Sequence, residues 1–261
     1  MKISIISTYY NRKDVFYNTL VSISKSKFTN YEYIVVDDGS DKEERIEDFE
    51  KIFSFLKIIR IDKKDKWWIN PCIPFNIGFK EANGDIIVLQ NPECYHMYDN
   101  LLYFSENIKE NNYISLSAYS LDDIFTIKLK NYILNNNEKE IISLFDKLNK
   151  NKPINNYLNC WLNHSVYMPF YYHYCSAISK SNLNLLGGFD ERYAHGIGKD
   201  DDEFVERIKR LKIKMYINDN LTVLHQYHYN IFNNNIYFKE LVNKNKFIFE
   251  NFTKKELDYK K

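Results

Sequence analysis

Acidic side chains in this chain gather in short groups that follow apolar runs. Asp37 and Asp38 come directly after Tyr33-Ile34-Val35-Val36, and Gly39 behind them permits a sharp turn. A carboxylate at the end of such a run can accept hydrogen bonds from a nucleobase N–H or a ribose hydroxyl, although Asp-Asp-Gly-Ser is also a good generic turn. Asn91-Pro92-Glu93 follows a later run, Ile86-Ile87-Val88-Leu89, and reads either as a ligand-facing loop or as a plain polar turn. Asp200-Asp201-Asp202 opens a helical stretch. Carboxylates there are stabilised by the helix dipole and its free N–H groups. Three in succession exceed what a cap needs, and their mutual repulsion calls for a partner. Two imidazoles, His225 and His228, follow the run Leu221-Thr222-Val223-Leu224.

The elements that must position these groups alternate between strand and helix. A β-branched run at 3–7 precedes a helical pattern over 13–24, where Val15, Leu20, Val21 and Ile23 share a face. The strand ending at Val36 is followed by a charged helix over 42–53, a strand over 56–61, a helix over 73–81 closed by Asn83-Gly84, and a strand over 85–89. That order predicts a Rossmann-like α/β architecture, a mostly parallel central sheet flanked by helices, with its ligand site beyond the carboxyl ends of the strands. The second half is less regular. A helix over 99–111 and a strand over 113–118 lead into a polar, Asn-rich stretch over about 121–160 that reads as an insertion, with a helical segment at 138–148. An aromatic block at 161–174 then precedes a strand at 175–178.

Bulk composition excludes several function classes. With 261 residues, 44% apolar and 27% charged, the chain suits one large packed domain. Its 36 basic and 35 acidic residues give a formal net charge of +1, which leaves no overall field to hold a nucleic acid. No segment approaches the ~18 consecutive apolar residues of a membrane span, and Met1 to Ser7 read as a first strand rather than a leader. Peripheral membrane contact through the Lys- and Phe-rich tail at 229–261 stays open beside a plain packing helix. Cys72, Cys94, Cys160 and Cys175 form no Cys-x-x-Cys pair and read as reduced, buried thiols, in keeping with a cytoplasmic setting. Neither a Gly-x-Gly-x-x-Gly nor a Gly-Lys-Ser/Thr signature occurs.

Ser4-Ile5-Ile6-Ser7-Thr8-Tyr9-Tyr10-Asn11-Arg12, Ile34-Val35-Val36-Asp37-Asp38-Gly39-Ser40, Asn76-Ile77-Gly78 and Ala82-Asn83-Gly84-Asp85-Ile86-Ile87-Val88-Leu89 together resemble the opening of the family 2 glycosyltransferases, which have the GT-A fold. The resemblance spans about 3–97 and resumes over 174–228. It implies one GT-A domain over 1–261: a nucleotide-binding half at 1–98, an acceptor-binding half at 99–228, and a C-terminal helical tail. It also implies a nucleotide-diphosphate sugar donor, UDP-linked by family habit, and a carbohydrate or glycoconjugate acceptor. Thr8, Tyr10, Arg12 and Asn76 then belong beside the nucleotide, Asp38 holds the base and Asp37 supports the turn.

At the metal motif the sequence departs from the family, because the Asp-x-Asp positions hold Asn91-Pro92-Glu93. Glu93 is still a hard oxygen ligand for Mn²⁺ or Mg²⁺, and Asn91 offers a carbonyl oxygen or a ribose hydrogen bond. By resemblance His225, preferred over His228, completes a mixed O/N shell with diphosphate oxygens. In the same way Asp201 is the general base, Asp200 orients the acceptor, and Asp202 is the rival in an ambiguous register. The implied reaction is direct displacement with inversion. Trp161 and His164, with Trp67 and Trp68 as further candidates, can stack on sugar rings or pack in a core. The alternatives are a catalytically inactive sugar-binding relative, prompted by the altered metal motif, and a nucleotidyltransferase. The nucleotidyltransferase lacks its usual glycine-rich loop after the first strand.

Overall fold

In the computed structural model, β1 (Ile3–Tyr9), β2 (Tyr31–Asp37), β3 (Leu56–Arg60) and β4 (Ile86–Gln90) pair in parallel in the order β3-β2-β1-β4. The structure describes residues 1–148, 158–229 and 236–253. The remainder of the expected insertion, 149–157, and of the tail, 230–235 and 254–261, lies outside the described residues. Period-two alternation sends Ile3, Ile5, Tyr33, Val35 and Val88 into one apolar core and Ile6, Ile34, Ile87 and Leu89 into another, so these strands are buried on both faces. α1 (Lys13–Ser24) covers the first face with Phe16, Leu20 and Ile23. α2 (Cys72–Glu81) covers the second with Ile73 and Phe75. Gly84 lies flush against β1, where a Cβ would come within 2.5 Å of the Ser4 nitrogen.

Beyond β4 the sheet becomes mixed. β8 (Cys175–Ser179) runs antiparallel to both β4 and β6 (Asn112–Ser120), β6 pairs in parallel with β9 (Lys214–His225), and β9 pairs antiparallel with the short β5 (Cys94–His96). The hairpin strand β7 (Trp161–Asn163) pairs with the end of β6. α3 (Asn100–Asn107) follows β5, and its N-cap Asp99 accepts from the Leu102 N–H. Within the expected insertion, α4 (Asp123–Leu134) and α5 (Glu138–Lys147) bury Leu129, Ile133, Ile141 and Phe145 in a third apolar cluster against Tyr119, Trp161 and Leu224. No helix among the described residues is long and apolar enough to cross a membrane.

One expected element is different in kind. The charged stretch 42–53 forms two short 3-10 segments, Lys42–Glu44 and Glu47–Lys51, rather than one helix. Its chain is held by β1 and α1: the Tyr9 hydroxyl donates to the Glu44 carbonyl at 2.6 Å, and the Lys13 N–H donates to the Glu44 carboxylate at 2.9 Å. Ile46, Phe49 and Phe53 turn into the core on tight turns instead of a continuous helical face.

α6 (Lys180–Leu186) ends at Gly187 in the left-handed region, and Gly188 repeats that conformation, so the segment folds back over α2. Asn76 fastens it there. Its Nδ2 donates to the Phe189 carbonyl at 2.9 Å and to Glu191 at 3.0 Å, while its Oδ1 accepts from the Phe189 N–H at 2.8 Å. α7 (Asp200–Arg210) adds Arg207, which bonds Glu203 and the carbonyls of Leu186 and Gly188. Asn76→Ala strands the buried Phe189 N–H and is expected to cost about 1–3 kcal/mol of stability in urea unfolding. An unchanged midpoint accompanied by lost nucleotide binding would move Asn76 back to a ligand-binding role.

Candidate active site

A cleft of about 260 Å³ opens at the carboxyl ends of β1, β2 and β4, facing the start of α7. Thr8 and Tyr10 leave β1 into it, and the turn after them is pinned by Asn11 at φ 46, whose Nδ2 donates to Asp41 at 2.6 Å. Asn tolerates this left-handed conformation better than most residues. β2 delivers Asp37 and Asp38 to different tasks. Asp37 is fully buried, accepts from the Ser40 N–H at 2.9 Å and from Arg60 at 2.5 Å, and so builds the turn. Asp38 lines the cleft with both oxygens engaged, Oδ1 by the Trp68 indole N–H at 2.9 Å and Oδ2 by Lys66 at 2.5 Å. Burial outweighs those contacts and pushes its carboxyl pKa up.

On the other side of β1, the chain leaves β4 through Asn91-Pro92-Glu93, all three at the cleft wall. The β5–β9 ladder, with Cys94 opposite His225, brings the imidazole to Glu93: His225 Nε2 lies 2.9 Å from Oε1 and His228 Nε2 lies 3.4 Å from the same oxygen. Arg12 takes the other oxygen at 2.7 Å. Gln226 secures the loop from behind, its backbone and side-chain N–H groups donating to the Glu93 carbonyl at 3.2 and 2.9 Å. Glu93 is only 2% exposed. Burial, the largest influence, works to raise its pKa, yet the charges of Arg12, His228 and His225 outweigh it and hold the carboxyl well below the usual range.

Ligand atoms from Glu93, His225 and His228 all lie within 4.8 Å of one another. One hard oxygen and two imidazole nitrogens form a donor set that fits a divalent first-row cation, so these three residues can hold one.

At the far wall, Lys199 at φ 68 turns the chain into α7. Asp200 is buried and accepts from Asn70 at 2.9 Å. Asp201 lies 2.5 Å from Nδ1 of His173, a close contact that is not a well-aligned hydrogen bond. Burial and the neighbouring Asp201 charge raise the Asp200 pKa against the opposing pull of Asn70 and His173. Burial works to neutralise His173, but Asp201 and Asp200 outweigh it and raise the imidazole pKa.

Of the residues expected at a site, Thr8, Tyr10, Arg12, Asp38, Asn91, Glu93, Asp200 and Asp201 meet in this cleft, and His225 adjoins it through Glu93. Six do not line it, among them Trp67, which is exposed beside His195, and Trp68, whose indole N–H is spent on Asp38. Asn76 spends its amide on Phe189 and Glu191. Trp161 packs edge-on against Tyr119 in the third cluster. His164 faces Asp219 at 3.8 Å and stacks near Trp161. Asp202 is taken by the Tyr172 hydroxyl at 2.9 Å and Lys199 at 3.2 Å. Lys66 lines the cleft without having been singled out, His173 lines it having stood only as one ring of the aromatic block, and His228, ranked second to His225, stands beside it. Nothing local marks Lys66 or sets His173 apart within its block; their sites are made by chain crossings.

The model of glycosyl transferase family 2 matches residues 4–183. The chain belongs to that family. It is 28% identical over 231 residues to a chondroitin synthase of Pasteurella multocida strain Pm70, a match covering 79% of this chain and 23% of that protein. The chain therefore spans about a quarter of that relative's length. Similar solved structures include the mannosyltransferase PcManGT of Pyrobaculum calidifontis in complex with GDP-Man and Mn²⁺, at 15% identity and TM-score 0.55 over 85% of this chain and 56% of that one. A structure of S. aureus TarS with UDP-GlcNAc gives TM-score 0.60 at 15% identity over 88% and 60%. At such identities the likeness speaks for the GT-A fold.

Within the glycosyl transferase family 2 frame, the Arg12–Glu93 pair is a largely buried ion pair at the cleft wall. Arg12→Met removes one partner and leaves Glu93 with the two imidazoles, an expected cost of about 3 kcal/mol in chemical unfolding. A loss under about 1 kcal/mol would mean that the histidines alone neutralise Glu93.

Proposed function

We propose that the chain transfers a hexosyl or N-acetylhexosaminyl group from a nucleotide-diphosphate sugar, UDP-linked by preference, to a hydroxyl of a carbohydrate or glycoconjugate acceptor. The observation that carries this reading is the meeting in one cleft of Asp38, Glu93 and Asp201, with His225 held against Glu93. The complexes of fold neighbours with GDP-Man and Mn²⁺ and with UDP-GlcNAc support the donor class.

The division of labour follows from the walls. Asp38 is the acceptor for a base N–H and Tyr10 the ring beside it, so Lys66 and Trp68, which now occupy Asp38, must yield or share when a nucleotide enters. Glu93, His225 and His228 are the residues that hold Mn²⁺ or Mg²⁺. When bound, such a cation takes up the negative charge that grows on the diphosphate leaving group. Arg12 keeps Glu93 ionised for that duty and adds positive charge at the same wall.

Asp201 removes the proton from the acceptor hydroxyl as its oxygen attacks the anomeric carbon from the face opposite the diphosphate. The carbon–phosphate-oxygen bond breaks with its electron pair passing to the diphosphate, and the sugar inverts. Asp200, anchored by Asn70, orients the acceptor. The inactive-relative reading, prompted by the single carboxylate in Asn91-Pro92-Glu93, is disfavoured because two imidazoles surround that carboxylate and a carboxylate pair faces it across the cleft.

Asp201→Asn is expected to keep UDP binding by calorimetry while transfer falls by ~10²–10⁴. Glu93→Ala is expected to abolish the Mn²⁺ dependence of nucleotide binding. Persistence of that dependence in the Glu93 variant would remove it from the metal site, and full transfer by the Asp201 variant would sink the general-base assignment.

A further inference from the structure

Resting on the transferase reading, we infer that His173 is a positioning residue for Asp201: its imidazole holds one carboxylate oxygen at contact distance, leaving the other oxygen to receive the acceptor proton. The geometry that carries this is a buried imidazole with a carboxylate at contact distance. Nδ1 of His173 lies 2.5 Å from Asp201 Oδ1. The ring is walled by Phe75, 5.0 Å away at an interplanar angle of 85°, and by Phe189, 5.1 Å away at 61°. Two aromatic walls confine the imidazole, and they keep its Nδ1 beside the carboxylate oxygen although the contact is not a well-aligned hydrogen bond. The side chain is 7% exposed and also lines the cleft.

The charges around His173 come from one direction. α7 presents Asp201 and Asp200; α2 and the segment after Gly188 pack the Phe75 and Phe189 rings on it; the flanking Tyr172 hydroxyl is turned to Asp202, and Tyr174 lies edge-on to His225. Two adjacent carboxylates in a low-dielectric wall resist double ionisation, because each charge disfavours the other. A cation between them removes that conflict. Asn70 offers Asp200 a neutral hydrogen bond, and the positive charge beside the pair is the His173 imidazolium, whose pKa Asp201 and Asp200 raise against burial.

A positioning residue acts on the transfer step and not on donor binding. His173→Gln is expected to lower kcat by about 10-fold or more while UDP binding by calorimetry and thermal melting stay as in the wild type. An unchanged kcat, or a loss confined to KM and UDP binding, overturns the inference.

A second measurement does not depend on that variant folding. In the full chain labelled at histidine, NMR titration should show the His173 imidazole holding its proton to higher pH in the wild type than in Asp201→Asn. Equal midpoints overturn the inference. Failure of the wild type to transfer or hydrolyse any nucleotide sugar would instead strike the transferase reading, while the titration still decides whether the pair exists.

Discussion

A carboxylate almost sealed from water at the end of the central strands is the constraint around which this molecule is arranged. Glu93 cannot stay ionised there without opposite charge at contact distance, because the loss of hydration is worth several kcal/mol or more. Arg12 arrives from the end of β1, and His225 and His228 arrive from the end of β9, 132 and 135 positions further along the chain. Each must be delivered by its own strand, so the register of the sheet is tied to this one charge. The short β5–β9 ladder and the Gln226 bonds to the Glu93 carbonyl and to α1 hold the delivery in place.

Across the cleft a second charge problem is solved differently. Three carboxylates open α7, and the structure separates them: Asp200 turns inward to Asn70, Asp201 meets His173, and Asp202 turns to Tyr172 and Lys199. The mutual repulsion evident in the run is relieved by sending each side chain to a distinct partner on a distinct segment. The loop from β3 to α2 joins both walls. Lys66 and Trp68 engage Asp38 at the nucleotide end, Asn70 engages Asp200 at the other, and the N–H groups of Ile69 and Asn70 both reach the Ala194 carbonyl. A ligand that displaces Lys66 from Asp38 therefore pulls on the same loop that positions Asp200.

The continuous apolar runs of β1, β2 and β4, the helical faces of α1 and α2, and the acidic turns at strand ends depend on neighbours a few residues apart, and for that reason they were legible in the sequence. The same local signals put Asp38 at a strand end facing a crevice, while for Glu93, Asp200 and Asp201 they gave only the end of a strand or helix and the resemblance supplied the site; all four line the cleft. Where a stretch was charged and short, as at 42–53, local pattern favoured one helix, whereas hydrogen bonds from Tyr9 and Lys13 and the burial of Phe49 and Phe53 imposed tight turns.

What the sequence determined by itself was thus an alternating α/β chain with its chemistry at the carboxyl ends of its strands, because periodicity and turn chemistry act over one or two turns of backbone. Tertiary structure alone decided who meets whom. Asn76 became a fastener of the segment at Phe189, Trp161 a core ring, His228 a neighbour of Glu93 and His173 a neighbour of Asp201. Side chains brought together from segments far apart leave no trace in local spacing, since the free energy that selects their pairing exists only after the chain has folded and water has been excluded between them.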